Sequence, residues 1–322
     1  MRQKLVSAFM ALLVVMPMAP ALAAYPDKPI RIIVGFPAGQ ATDIVARLAA
    51  KTLESSLKQS VYVENKPGAS GIIGTMDVVR AAPDGYTLLV TSSGPLAINP
   101  SLYTNLAYQP LRDIVPITEL SEVPLFLAVN AKLPMKTASE FVDYVKANPG
   151  KLNYGSAGSG VTSHLAMELL RHGQGMDIRH VPYKGSPPAV ADLIGGHVQA
   201  MVDTGPALLP VARRGDIRIL ATLNDKRNAA MPQVPTAKEA GIGDLVTPAW
   251  VGLAAPKGTP PQIIDTLYKA LESSWKTPEN TKVLQGLGSE AVLKDPQEFR
   301  QYIADEIKKW KVAVDVSGAK VN

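Results

Sequence analysis

The chain has 322 residues, no cysteine and a formal net charge of +5. The missing cysteine excludes disulfides, thiol catalysis and cysteine-based metal sites. The basic residues are scattered without a block of five or more, which argues against a nucleic-acid partner. A chain of this length exceeds the usual size of one hydrophobic core and predicts two lobes.

The first 24 residues have the pattern of a secretory signal peptide. Arg2 and Lys4 form a positive start, residues 5–16 form an apolar run, and the small residues at 21–24 offer a cleavage site. A membrane anchor needs about 20 apolar residues, and this run is shorter. We therefore expect export to the periplasm, with a mature chain that starts near Tyr25.

Nine short apolar runs alternate with helical patterns along the mature chain. Continuous runs of this kind are typical of strands buried on both faces of a parallel sheet. Their alternation with amphipathic helices predicts an α/β protein. The predicted strands are residues 30–36, 61–64, 87–92, 125–130, 152–156, 178–183, 199–203, 217–222 and 250–254.

Three helix starts carry a capping signature, in which a capping residue precedes Glu or Gln by three positions. They begin at Thr137, Thr259 and Asp295, and the last two place proline at the first helical position. The helix after Asp295 places its apolar residues on one side. These are Phe299, Tyr302, Ile303, Ile307 and Trp310.

The two halves of the chain echo each other. The first half runs strand, FPAGQATD, helix, strand, NKPGASGIIG, helix, strand, and from residue 152 the same order recurs with GSAGSGVTSH and VPYKGSPPAV. Each copy predicts a β-α-β-α-β unit whose loops follow the carboxyl ends of strands. Open α/β sheets bind ligands at that edge. Two such units that face each other predict a cleft lined by four similar loops.

The loop at residues 36–43 leads from a glycine turn into a helix. A helix N-terminus presents unpaired N–H donors and about half a positive charge, so it is suited to an anion. Alternatively, Thr42 or Asp43 caps its own helix. The loop at 155–164 supplies more donors than one cap uses. Two such loops in corresponding positions favour one anion held from both sides.

No enzymatic motif is complete. No serine lies in a G-x-S-x-G elbow, residues 158–163 lack the third glycine of the dinucleotide fingerprint, and the four histidines show no metal-ligand spacing. A lone Asp43 makes poor general acid–base machinery. We expect no catalysis, cofactor or metal. The rival hypothesis is an exported hydrolase that uses Ser156 or Ser159 with His164.

Five stretches together resemble the solute receptors of tripartite tricarboxylate transporters, the Bug or TctC-like family. They are YPDKPIRIIVGFPAG…D…AR (25–47), NKPGASGIIG (65–74), PDGYTLL (83–89), YGSAGSGVTSHLAMELL (154–170) and HVPYKGSPPAVADLIGGHV (180–198). The resemblance implies a two-lobed periplasmic binding fold of the two-crossover type, with a mainly parallel sheet flanked by helices in each lobe. It implies a lobe 1 of residues 25–126 plus 223–322 and a lobe 2 of residues 127–222.

The resemblance also implies a monomeric receptor, not an enzyme, that holds a small carboxylate and delivers it to the permease subunits of a membrane transporter. A sensor that presents the acid to a signalling partner is the alternative. The acid is left open: mono- or dicarboxylate, aliphatic or aromatic. The predicted ligand-binding residues are Phe36, Ala38, Gly39, Gln40, Asp43, Ser70, Thr91, Ser92, Ser156, Ala157, Gly158, Thr162, Ser163, His164, Tyr183 and Asp203.

One position departs from the family pattern. The family usually has Gly-Gly in its first loop, where this chain has Gly39 and Gln40. A side chain in place of the second glycine must narrow the pocket or add an amide contact. The ligand of this receptor therefore does not follow from the ligands of similar proteins.

Overall fold

The structure is a computed structural model that describes residues 25–286 and 288–321. The predicted signal peptide lies outside the described residues. Within the described part of the chain, no helix combines the length and the apolar character that crossing a bilayer requires.

Strands and helices alternate along the described chain. The strands are β1 (Ile30–Val34), β2 (Val61–Asn65), β3 (Thr87–Ser92), β4 (Ile114–Val123), β5 (Leu125–Asn130), β6 (Asn153–Ser156), β7 (Arg179–Pro182), β8 (Ala200–Thr204), β9 (Ile217–Thr222), β10 (Ala249–Pro256) and β11 (Glu290–Ala291). The helices are α1 (Ala41–Leu57), α2 (Ile72–Val79), α3 (Asn99–Leu102), α4 (Pro110–Asp113), α5 (Ala138–Ala147), α6 (Thr162–Gly173), α7 (Ser186–Gly195), α8 (Gly205–Arg213), α9 (Pro261–Glu272), α10 (Pro278–Gly286) and α11 (Pro296–Ser317).

All nine predicted strands are present, with ends that differ by no more than two residues. The sequence pattern does not predict β4 or the two-residue β11. β4 contains Pro116, Glu119 and Glu122, which interrupt the apolar pattern. Glu119 is nevertheless fully buried and pairs with Lys294, and this tertiary contact cannot be seen in the local sequence.

The strands form two sheets with the same plan. The first has the order β2-β1-β3-β10-β4-β11, and the second has the order β7-β6-β8-β5-β9. In each sheet the three strands of the predicted β-α-β-α-β unit are parallel, and the fourth strand, β10 or β5, runs antiparallel to its neighbours. The predicted units are confirmed, and four strands of each sheet share one direction, with β10 and β11 opposed in the first sheet and β5 opposed in the second.

We call the parts of the chain built on these two sheets lobe 1 and lobe 2. The chain passes from the first sheet to the second at Pro124 and returns between β9 and β10. Residues 223–248, which the prediction placed in lobe 1, hydrogen-bond to the second sheet and its helices: Ala237 N donates to Thr222 O, and Ser139 Oγ donates to Ala240 O. The lobe boundaries at 126/127 and 222/223 stay a prediction.

Two of the three predicted capping signatures are confirmed. The side chains of Thr137 and Asp295 each accept the backbone N–H of the residue three positions later. The glutamate at that position accepts the backbone N–H of the capping residue. Thr259 is different, because its hydroxyl donates to Pro256 O and Pro260 occupies the N-cap of α9. The apolar side of α11 is buried against lobe 1 and against α6 of lobe 2. This helix therefore joins the two lobes.

Candidate ligand-binding cleft

A cavity of about 940 Å3 lies between the two lobes. The loops that follow β1, β2, β6 and β7 line it, together with the ends of β3 and β8. These are the carboxyl ends of the parallel strands, the edge at which the sequence pattern predicted a cleft.

The structure brings eleven of the sixteen predicted residues to the cavity lining. They are Phe36, Gly39, Gln40, Ser70, Ser92, Ala157, Gly158, Thr162, Ser163, Tyr183 and Asp203. The other five lie outside the lining. They are Ala38, Asp43, Thr91, Ser156 and His164.

The start of α1 is open toward the cavity. Its N-cap residue, Gln40, has an extended backbone (φ −77°, ψ 163°), and its side chain makes no capping bond. Gly39 precedes it with φ +84°, a conformation that glycine adopts without strain. Because the first N–H groups of a helix have no partners within the helix, and Ala41 and Thr42 line the cavity, donors are available there.

The start of α6 repeats this arrangement in lobe 2. Its N-cap residue, Val161, has φ −78° and ψ 164°, and again no side chain caps the helix. Thr162 and Ser163 of the first turn line the same cavity. Each lobe therefore directs at least one uncapped helix start toward the shared space.

Asp43 and His164 occupy equivalent positions in these two turns. Asp43 Oδ2 accepts the N–H of Gly39 (2.9 Å), and His164 Nδ1 accepts the N–H of Gly160 (3.0 Å), in each case from four residues earlier. Neither residue lines the cavity. Both side chains hold their turn in place from behind, which explains why they lie outside the lining.

Asp43 is also fixed from two other sides. Arg47 Nε donates to its Oδ2 (3.0 Å) and Asn65 Nδ2 donates to its Oδ1 (2.9 Å). Burial opposes ionisation, but the hydrogen bonds from Arg47, Gly39 and Asn65 outweigh it and hold the pKa of Asp43 below its ordinary value. A carboxylate with all these partners is a structural brace.

The remaining three residues outside the lining have separate reasons. Ser156 is buried, and its hydroxyl bonds to His180 Nε2 (2.7 Å) and to Gly158 O. Thr91 is buried within β3, opposite Gly252 of β10. Ala38 is exposed to solvent and is not among the lining residues.

Two stacked imidazoles lie behind the second loop. The rings of His164 and His180 are 3.9 Å apart and border a separate pocket of about 420 Å3. Burial lowers the pKa of His164, and burial and the neighbouring ring lower the pKa of His180 to about 4. Both are therefore neutral near pH 7. Ser156 pairs with His180 and not with His164, and neither Ser156 nor His180 lines the cleft.

The cavity lining contains one cation and one carboxylate, Lys184 and Asp203. Asp203 is 3% exposed; its Oδ1 accepts the N–H of Thr204 (2.7 Å), and its Oδ2 has no partner among the described residues. Burial raises the pKa of Asp203 above its ordinary value. Neutral donors therefore outnumber charged groups around the cleft.

Ser70 contributes a strained turn to the lining. It has φ +51° and ψ 38°, a left-handed conformation that is rare outside glycine, and Ala69 beside it has φ +47°. Its hydroxyl accepts from Tyr103 (3.2 Å) and its carbonyl oxygen accepts from Asn99. Strain of this kind clusters at binding sites and is held by surrounding contacts.

The sequence patterns do not predict the apolar side of the cleft. Val190 and Ile194 of α7 and Pro206 and Ala207 of α8 line the cavity. In the sequence these residues follow the same periodic patterns as core residues, so no local signal distinguishes them. Only the packing of the two lobes leaves them facing a shared space.

The fold and the cleft define a class of protein, the two-lobed periplasmic solute-binding receptors. Among solved structures, the periplasmic binding protein BugD matches with a TM-score of 0.83 and 34% identity, over 92% of this chain and 99% of that chain. The family model of the tripartite tricarboxylate transporter family receptor, TctC, matches residues 45–318. The chain belongs to this family, whose members are receptors and not enzymes.

Similar proteins give further detail. BugT of Bordetella pertussis (strain Tohama I) is 40% identical over 298 residues, which is 92% of this chain and 91% of BugT. The structure of R. palustris Rpa4515 with adipate has a TM-score of 0.87 and 32% identity, over 92% of this chain and all of that one. MatC from Rhodopseudomonas palustris with bound malate has a TM-score of 0.82 and 33% identity, over 90% of this chain and all of that one.

Proposed function

We propose that this protein is an exported receptor that captures a small organic acid in the cleft and delivers it to the permease subunits of a tripartite tricarboxylate-type transporter. The observation that carries the proposal is the pair of uncapped helix starts, α1 and α6, one from each lobe, at one cavity. The bound adipate and malate of two similar structures support a carboxylate ligand.

The available donors are strong enough for this task. A hydrogen bond to a charged group contributes about 1.5–3 kcal/mol net, and a helix terminus adds about 0.3–1 kcal/mol, or up to about 2 when partly buried. A micromolar dissociation constant corresponds to about 8 kcal/mol. A few backbone and hydroxyl donors from the first turns of α1 and α6 therefore suffice after ordering costs. No arginine in the lining is needed.

Capture proceeds by lobe closure in this proposal. A carboxylate between the two helix starts is fully satisfied only when both lobes approach it, so the acid favours the closed form. The two chain crossings, at Pro124 and within residues 223–248, serve as the hinge. The receptor acts as a monomer, and its closed form docks on the permease.

The proposed leader at residues 1–24 accounts for how the receptor reaches the periplasm. Its pattern of a positive start, an apolar run and small residues supports export. The test is the amino-terminal sequence of the protein recovered from a periplasmic extract. We expect it to begin near Tyr25, and a chain retained in the cytoplasm with Met1 present would contradict export.

A screen of mono- and dicarboxylates by thermal shift tests the ligand class. An acid present at a hundred times its dissociation constant stabilises the folded state by about 2.7 kcal/mol, which gives a visible shift in Tm. Isothermal titration calorimetry then gives the dissociation constant. If no carboxylate shifts the Tm while solutes of another class do, the proposed ligand class is wrong.

The helix-start mechanism is tested by removing a single N–H donor. Ala41 is the first residue of α1, a position at which proline is tolerated, so Ala41→Pro deletes the N–H without breaking the helix. We expect the affinity for the acid to fall about tenfold or more. Ala41→Ser, which retains the N–H, is the matched control. Equal affinity of both variants would contradict the role of the α1 amides.

A further inference from the structure

Gln40 reaches across the cleft from lobe 1 to lobe 2. It is half-buried and lines the cavity. A methyl carbon placed on Gly185 of lobe 2 would lie 3.5 Å from the Gln40 side-chain nitrogen Nε2. The amide therefore lies beside the turn that precedes α7, at a separation that one added carbon atom would fill.

The contacted turn is fixed to the rest of lobe 2. Gly185 has φ +106°, a conformation that disfavours any other residue, and it is the N-cap of α7. Its N–H donates to Ala157 O (3.0 Å), and the N–H of Tyr183 donates to Ser156 O (3.0 Å). Through these bonds the turn is tied to the loop that contains Gly158. A contact at Gly185 is thus a contact with the anion-facing loop of lobe 2.

The backbone leaves position 40 free to vary. Gly39 needs its positive φ, whereas Gln40 has φ −77° and ψ 163°, which every residue adopts easily. The side-chain amide of Gln40 makes no hydrogen bond to the described residues. Neither the turn nor a hydrogen-bond partner within the protein requires glutamine at position 40. We therefore look for its role in the space between the lobes.

We propose that Gln40 determines ligand specificity by spanning the cleft between the α1 start and the Gly185 turn, which limits the length of the acid that the cavity accepts. The inference rests on the proposed carboxylate-receptor function. The side chain occupies space at the junction of two anion-facing loops, where a longer acid would otherwise extend. The volume of the side chain sets the limit, and its amide is not required for it.

The selectivity test uses succinate, glutarate and adipate with the wild type and Gln40→Gly. One methylene group changes recognition in a fitted pocket by about tenfold or more. We expect Gln40→Gly to shift the ratio of the dissociation constants in favour of adipate by at least about tenfold. Ala38→Gly is the matched control, since Ala38 lies in the same turn but is exposed and outside the lining. An unchanged ratio would overturn the proposal.

A second variant separates volume from hydrogen bonding. Gln40→Met retains the length of the side chain without its amide. We expect Gln40→Met to keep the wild-type order of preference among the three acids. If it relaxes the preference as Gln40→Gly does, then the amide and not the volume sets the limit, and the proposal is wrong.

Hydrogen exchange of the ligand-free protein tests whether Gln40 spans the cleft to the Gly185 turn, independently of any acid. The amides of Gly185 and Tyr183 are hydrogen-bonded and serve as reporters. We expect both to exchange faster in Gln40→Gly than in the wild type or Ala38→Gly. Equal exchange rates in the three proteins would contradict the spanning of the cleft by Gln40, whichever ligand the receptor binds. If the wild type binds no carboxylate but exchange differs between the wild type and Gln40→Gly as expected, the proposed function is contradicted. The position of Gln40 across the cleft is then still supported.

Discussion

At the scale of single residues, the side chains most suggestive of ligand chemistry serve to hold the loops. Asp43 and His164 each accept an amide from four residues earlier, in turns with nearly identical N-cap dihedral angles. An aspartate and a histidine thus perform the same task in the two lobes. Because each bonds the N–H that precedes the cap, the N–H groups of the first helical turn stay available to an anion.

The first prediction concerns the brace at Asp43. Asp43→Ala removes a buried carboxylate that accepts from Gly39, Arg47 and Asn65. We expect the free energy of unfolding at pH 7 to fall by about 1–3 kcal/mol in urea denaturation. Because the folded-state pKa lies below the ordinary value of 3.8, this stabilisation is present above that pH and is lost as the pH falls through the folded-state pKa.

The control for this brace is Asp305→Ala on the exposed face of α11. A surface carboxylate paired only with Gln301 and Lys308 contributes little, so we expect a change within about 0.5 kcal/mol. Equal losses in the two variants would contradict the special role of Asp43.

The second prediction concerns Asp203 and protons. Burial already raises its pKa, and an acid bound in the same cavity adds a like charge that raises it further. Binding should therefore favour the protonated form of Asp203, and the affinity of the wild type should increase as the pH falls toward the raised pKa of this group. In Asp203→Asn this contribution to the pH dependence should be absent. Calorimetry in buffers of different ionisation enthalpy measures the proton directly, and zero uptake by the wild type would contradict the prediction.

At the scale of elements, helix starts divide into capped and uncapped ones. α5 and α11 are closed by capping boxes at Thr137 and Asp295, and both starts lie away from the cleft. α1 and α6 lack side-chain caps and line it. A start without a cap gives up stability of the helix, and here the open donors lie where a ligand can use them.

The third prediction tests the structural caps. Asp295 accepts the N–H groups of Gln297 and Glu298, each at 2.8 Å. Asp295→Ala should lower the free energy of unfolding by about 0.5–2 kcal/mol and leave the affinity for the acid unchanged. Thermal unfolding with and without ligand measures both. A loss of affinity with full stability would show that this cap acts on the cleft.

At the scale of the whole molecule, the two lobes already touch at the floor of the cleft. The hydroxyls of Ser93 in lobe 1 and Thr162 in lobe 2 are 3.1 Å apart, and Leu102 packs tightly against Gly160. The helix α11 of lobe 1 packs along α6 of lobe 2. The proposed closure about the two chain crossings therefore starts from a form in which these contacts are already made.

The fourth prediction concerns this movement. We expect a saturating acid to reduce the radius of gyration measured by small-angle X-ray scattering, because the carboxylate is satisfied by both lobes together. An unchanged radius at confirmed saturation would contradict closure. Ala41→Pro at a saturating concentration of the same acid serves as a second measurement. Because lobe 1 then has one N–H donor fewer for the acid, the mean radius of gyration should stay larger than in the wild type.

The local sequence determined nine of the eleven described strands, the two repeated units, the four glycine-rich loops and the capped starts at Thr137 and Asp295. Each of these depends on periodicity, on backbone freedom at glycine or on a capping residue within a few positions, and such forces act over short stretches of chain. Family resemblance added the receptor class. The eleven predicted residues that line the cavity follow mostly from the loop positions.

Only the tertiary structure decided the rest. Strand β4 depends on the burial of Glu119 beside Lys294, which are far apart in the chain. The apolar wall with Val190 and Ile194 becomes a cleft surface only because the other lobe stands opposite. The reach of Gln40 to Gly185 exists for the same reason. Contacts between distant segments depend on how the two sheets are placed, and no short stretch of sequence carries that information.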